Sequence, residues 1–162
     1  MDKSNGADRS ENVHAQPKMK VLGQFMRDLS FENFAAQQER NVAEVPSIAF
    51  NVQISTKESG RDIFSVSVLL SIDAKSSKSG EPIFLLELDY GGRFLIENSS
   101  FDQLKPHLLI ECPKLLFPYI RRLVEDLTGE GGFPPLKMDP IDFAEIYKRK
   151  QEQALSGPTA DS

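Results

Sequence analysis

Glu87 and Asp89 are residues whose type and spacing could do chemistry in this 162-residue chain. Two carboxyls two positions apart in an extended strand share a face and stand about 7 Å apart at the backbone, so they could act as an acid/base pair. That chemistry needs a partner base or a pocket, and the neighbouring sequence offers neither. His14 lies in a polar N-terminal stretch, and His107 follows Pro106 near a helix start, where it reads as a surface or capping residue. Cys112, the single cysteine, precedes Pro113 inside an apolar run and reads as a small buried hydrophobe rather than a nucleophile. Gly129 to Gly132 (GEGG) follows a helical pattern instead of opening one, which argues against a phosphate cradle, and no serine stands in a nucleophile-elbow context. Metal-ligand spacing is absent. The carboxylates are therefore read as a solvated or docking face, and the chain as a binding protein with no cofactor or metal.

The strand that must carry that face is Ile83 to Ile96, IFLLELDYGGRFLI. Alternation puts Phe84, Leu86, Leu88, Tyr90, Phe94 and Ile96 on one apolar face, and Ile83, Leu85, Glu87, Asp89 and Arg93 on a wet one. Unbroken, it would run to roughly 45 Å, and a bend is expected at Gly91-Gly92. Upstream, Val21, Phe25, Leu29 and Phe31 alternate with Gln24, Asp28, Ser30 and Glu32, which places Asp28 and Glu32 on a polar face. Asn33 to Glu44 reads as a loop. Ile48, Phe50, Val52 and Ile54 form a one-sided strand closed by Ser59-Gly60, and Phe64 to Ile72 return as its hairpin partner. Ala74 to Pro82 is a turn into the fourth strand.

Past Asn98 the period changes. Leu116, Ile120, Leu123, Val124 and Leu127 make the stripe of an amphipathic helix with Pro113 in its first turn, Pro118 as a kink and Gly129 as the stop. A short helix from about Phe101 to Ile110 is expected before it, and a second helix from Ile141 to about Ala154 after a Pro-stiffened connection. The order predicts an α+β fold: a four-stranded antiparallel meander followed by a long helix and a C-terminal helix, with one face of the sheet covered. Residues 1–18 and 154–162 are expected to be disordered tails around one domain, 19–153. Open edges and partial cover predict a symmetric homo-oligomer.

The composition narrows the partners. A net charge of -5 and a pI near 5.1 disfavour nucleic acid and anionic membranes and favour a basic protein surface. One cysteine, no bilayer-length apolar run and no apolar segment in the polar N-terminus suggest a cytoplasmic protein. Leu85 and Ile83 beside the acids, and Phe133 among glycines and prolines, suggest surplus grease for gripping an extended apolar chain, each contact being worth ~1.5 to 3 kcal/mol.

Phe84 to Ile96, Arg27 to Asn33 (RDLSFEN) and Glu111 to Leu136, with the run CPKLLFPYIR beginning at Cys112, resemble the SecB family of protein-export chaperones. The resemblance covers about Val21 to Lys150. It implies a homotetramer, a dimer of dimers, that holds precursor proteins unfolded without ATP and hands them to the SecA translocation ATPase. It further implies that Asp28, Glu32, Leu85 and Glu87 match the docking surface for SecA. It implies that Leu86, Leu88 and Tyr90 fall at the contact between dimers, and that Ile48, Phe50, Val52, Phe133, Phe143 and Ile146 line client grooves. Two rivals remain open: a SecB-like chaperone dedicated to a toxin-antitoxin pair, and a small-ligand carrier or enzyme using the concave side of the sheet.

Overall fold

The structure is a computed structural model and describes residues 17–157, so His14 and most of both expected tails lie outside the described residues. Four strands form one antiparallel sheet: β1 (Lys18–Asn33), β2 (Ser47–Gly60), β3 (Ile63–Lys75) and β4 (Pro82–Glu97). β1 therefore begins at the residue where the N-terminal tail was expected to end.

The sheet is not a simple meander. Its order is β1-β4-β3-β2, so the first strand pairs with the last. β2, β3 and β4 follow each other through tight turns, whereas the 13 residues between β1 and β2 carry the chain from one edge to the other. That connection includes one helical turn, α1 (Phe34–Gln37), with the Asn33 side chain accepting from the Ala36 N–H at its start. Three strand spacings of about 4.8 Å separate the edges, a distance such a segment spans easily. It crosses the outer face at the Ile83 end. Ala35 and Ile83 are consequently buried, and Ile83, expected on the wet face, is only 1 % exposed.

β4 pairs residue for residue with β3 from Phe84 to Leu95, and the expected bend at Gly91-Gly92 does not interrupt the ladder. The irregularity sits on β1 instead, which bulges at Leu22 and again at Arg27. Each bulge inserts one residue and reverses the alternation beyond it. Phe25 is thereby turned out, opposite Gly91, while Leu29 and Phe31 still face inward opposite Leu88 and Leu86. The glycines allow the close approach: a Cβ on Gly92 would lie 3.1 Å from the Gly23 carbonyl oxygen.

The inner face is covered by one continuous helical rod, α2 (Phe101–Pro106), a π-helical turn (His107–Glu111) and α3 (Cys112–Glu130). Ser100 caps it, exchanging bonds with Gln103. The two helices predicted here are thus fused. In the π turn the Cys112 N–H reaches back to the His107 carbonyl, widening the helix immediately before Pro113, and Pro118 is carried inside α3. The helix stops at Gly131 and Gly132 rather than Gly129, since Gly132 holds the left-handed φ of 83°. α3 buries Leu116, Phe117, Ile120 and Val124 against the inward residues of β3 and β4. α4 (Phe143–Leu155) begins at Asp142, whose carboxylate accepts from the Glu145 N–H. It runs past the boundary expected after residue 153.

Candidate functional site

Two surfaces stand out, on opposite sides of the crossover. On the outer face the register brings together what alternation had suggested separately: Asp28 is opposite Asp89, Ser30 opposite Glu87 and Glu32 opposite Leu85. Asp28, Glu32 and Glu87 are exposed and Leu85 is half-buried. Asp28, Glu87 and Asp89 border a shallow cavity of about 280 Å³ whose other walls include Leu69, Asn51 and Gln53, whereas Glu32 and Leu85 lie outside it. Among the described residues, one weak ion pair, Arg27 Nε to Asp89 Oδ2 at 3.7 Å, offsets these acids. Asp89 Oδ1 is buried and has no hydrogen-bond partner within the described residues. Asp89 joins the docking set as the partner of Glu87 on the face that the sequence already suggested, whereas Leu69 is an addition from the structure. Leu69 stands on the outward parity of β3 and is exposed, a signal that alternation along Phe64 to Ile72 already contained.

The second surface is an apolar groove of about 590 Å³ between the crossover and the connection after α3, with Val45, Pro46, Ile48, Phe133, Pro134 and Leu136 among its walls. Ile48 and Phe133 therefore meet, as members of the expected client set. Phe133 packs on Phe84 with ring centroids 5.1 Å apart, and Phe84 on Phe31 at 5.6 Å. The groove's two walls are fastened by polar bonds. Thr128, fully buried on α3, donates to the Val124 carbonyl (2.8 Å) and accepts from the Leu136 N–H (2.9 Å). Asn33 donates to the Gly131 carbonyl at 2.8 Å. A Cβ on Gly131 would lie 2.9 Å from the Phe31 ring, so only glycine fits there without a shift. Across the groove, Arg40 donates to Glu81 and to the Pro82 carbonyl, and Ser76 donates to Glu44, tying the crossover to the β3–β4 turn. Thr128 and Asn33 carried no periodic signal that marked them in the sequence.

The remaining expected site residues divide. Phe50 is 48 % exposed on edge strand β2, with Val52 half-buried beside it, but neither lines the groove. Phe143 is 1 % exposed and packs edge-on against Phe117 at 6.2 Å, so it is core. Ile146 sits at the margin of that core. Leu86, Leu88 and Tyr90, expected between dimers, are buried inside the single subunit beneath the helical rod. What reaches the surface beside them is Tyr119, stacked 6.2 Å from Tyr90. Burial raises the Tyr90 phenol pKa, with the neighbouring Tyr119 adding to it. Burial likewise pushes the Cys112 thiol up to about 12, assisted by Glu111, which fits a packing role. His107 is half-buried in the π turn, and its Nδ1 has no partner among the described residues. No three His, Cys, Asp or Glu side chains gather to hold a metal, and no helix is long and apolar enough to cross a membrane, among the described residues.

The comparison with known families decides what these surfaces belong to: residues 12–154 match the family model described as preprotein translocase subunit SecB. The chain belongs to the SecB family. Its relatives include the protein-export protein SecB of Dinoroseobacter shibae, 44% identical over 151 residues that cover 91% of this chain and 88% of that protein. The SecB of a Jannaschia species is 46% identical over 137 residues, covering 83% and 80%. In fold, the chain is similar to a SecB-like chaperone of Mycobacterium tuberculosis solved with an antitoxin peptide, with a TM-score of 0.62 at 14% identity, covering 76% of this chain and 90% of that one. The chain is thus a protein-export chaperone with an acidic outer face and an apolar groove.

Proposed function

We propose that this protein holds non-native precursor polypeptides in its groove without nucleotide hydrolysis and passes them to the SecA translocation ATPase through the outer face. The work is binding rather than bond-making, carried out in the cytoplasm by a homotetramer built as a dimer of dimers. The observation that carries the docking half is the register that aligns Asp28, Asp89, Glu87 and Glu32 on one outer face, with Asp28, Glu32 and Glu87 exposed, a natural seat for a basic partner. The client half is supported by the open apolar groove lined by Ile48 and Phe133. Assembly is supported by the exposed Leu115 and Tyr119 on α3 and by Leu22 and Met26 on the free edge strand β1. The small-ligand alternative is weakened by how open both concavities are, and a dedicated antitoxin role by relatives that carry the export name.

Mixing the protein with a slowly folding precursor, without nucleotide, should give a complex that survives size-exclusion chromatography. Asp28→Lys combined with Glu87→Lys should abolish SecA binding while leaving that complex intact. Unchanged SecA affinity would remove the docking assignment, and absence of a precursor complex would remove the holdase reading.

A further inference from the structure

The outer face carries more than its acids. The paired ladders arrange its residues in rows across the sheet, and the sign of charge reverses from row to row along the strands until Glu97, which stands opposite Lys18 at the far end. Toward the crossover stand Asp28, Glu32, Glu87 and Asp89. Four residues along β4 from Asp89, about 13 Å in an extended strand, Arg93 is flanked by Gly23 on one side and Ser65 on the other, and Ser65 is opposite Lys57. The next outward position on β4 is Leu95, opposite Lys20. Lys20, Lys57 and Arg93 are all exposed, and among the described residues none of them lies within ion-pair distance of a carboxylate.

The seam between the halves is built from three features. Arg27, in the second β1 bulge, donates to Ser67 Oγ at 3.0 Å and stands 3.7 Å from Asp89. Gly91 lets that side chain lie against the sheet, since a Cβ there would be 3.1 Å from Arg27 Cδ. Phe25 and Leu69, both exposed, flank the seam. Beside it opens a cavity of about 330 Å³ lined by Phe25, Arg27, Lys57, Ser65 and Gly91 among others. Among the described residues no element crosses the face between the acidic and basic halves, because the crossover covers only the Ile83 end.

We infer that this face binds one extended polypeptide segment with segregated charge, its basic residues over Asp28, Glu87 and Asp89 and its acidic residues over Lys57, Arg93 and Lys20. An apolar residue of the segment sits at the seam against Phe25 and Leu69. This rests on the docking role proposed above and extends it: the basic half fixes which way round the partner lies, because the reversed segment would set like charges against both halves.

Four fluorescent peptides of three designs test this by anisotropy at low salt. One carries four lysines alternating with serines. The second extends it through four neutral residues into three alternating glutamates, made in both chain orders. The third has the second's composition with the signs interspersed. The better-ordered segregated peptide should bind at least ten-fold tighter than the interspersed one and about five-fold tighter than the lysine peptide, with the gain fading as salt rises. Lys57→Glu with Arg93→Glu should erase the gain while the lysine peptide still binds at least as tightly as to the unaltered protein, which also shows that the variant is folded. If the lysine peptide fails to bind the unaltered protein, the docking role and this extension fall together. If it binds but the glutamates add nothing, if the interspersed peptide does as well, or if the gain survives the double reversal, the extension is wrong and the docking role stands.

Discussion

Leu88 and Asp89 are adjacent on β4 and serve opposite ends. Leu88 belongs to an inner face that α3 seals, where Leu86 and Phe94 are 0 % exposed; Asp89 belongs to an outer face that meets solvent and leaves a carboxylate oxygen unpaired. The inner face needs only apolarity and fit, so any residue there is judged by packing. The outer face needs particular charges in particular rows, so it depends on which strand lies beside which. One surface makes the fold and the other uses it.

The sharpest way to break the contrast is to delete matching groups on each side. Leu86→Ala should cost about 3 kcal/mol of unfolding free energy in urea titration, from lost transfer and an unfilled cavity. A value under 1 kcal/mol would mean the inner face is not the core. Next comes the thiol on that face. Cys112 ionises at about 12 in the folded chain against 9.0 as a free group, so its folded pKa is the higher one. The stability it lends is intact below pH 9 and is lost as pH rises from 9 toward 12, at up to about 1.4 kcal/mol per pH unit. The difference in stability between the protein and Cys112→Ala, followed from pH 8 to 11, should narrow accordingly; a constant difference would show an accessible thiol. Thr128→Val removes the acceptor of the Leu136 N–H and should cost about 1 kcal/mol, loosen the Pro-rich wall and weaken precursor binding, while binding of a basic peptide to the outer face stays unchanged. Glu87→Gln sharpens the comparison from the other side: stability should move by less than about 0.5 kcal/mol, yet basic-peptide affinity should fall and its dependence on salt should flatten.

The same contrast explains what could be read from the chain. Alternation along Ile48 to Ile54, Phe64 to Ile72 and Phe84 to Ile96 is a local signal, and those residues share one face because their ladders run nearly without interruption. Asp28 and Glu32 were legible with them, since both lie beyond the second bulge. Phe25 was not, because two inserted residues reverse the alternation on either side of it and nothing local marks them. Strand order is a property of the long connection, and the crossover that buries Ile83 contains no motif announcing where it will lie. The continuous rod through Pro113 and Pro118 depends on a π turn that is formed by backbone bonds rather than by a recognisable side-chain pattern. Phe143 was assigned to a groove through the family resemblance, and its partner Phe117 could be identified only once α4 had been placed.

Strand order also sets a timetable. Lys18 finds its partner in Glu97, 79 positions later, and even the nearest pair, Asn33 with Phe84, is 51 apart. During synthesis the first strand emerges long before β4 exists, and closing so large a loop slows its pairing. For that interval a protein that keeps others from folding early is itself an unfinished chain, with Leu29 and Phe31 not yet covered.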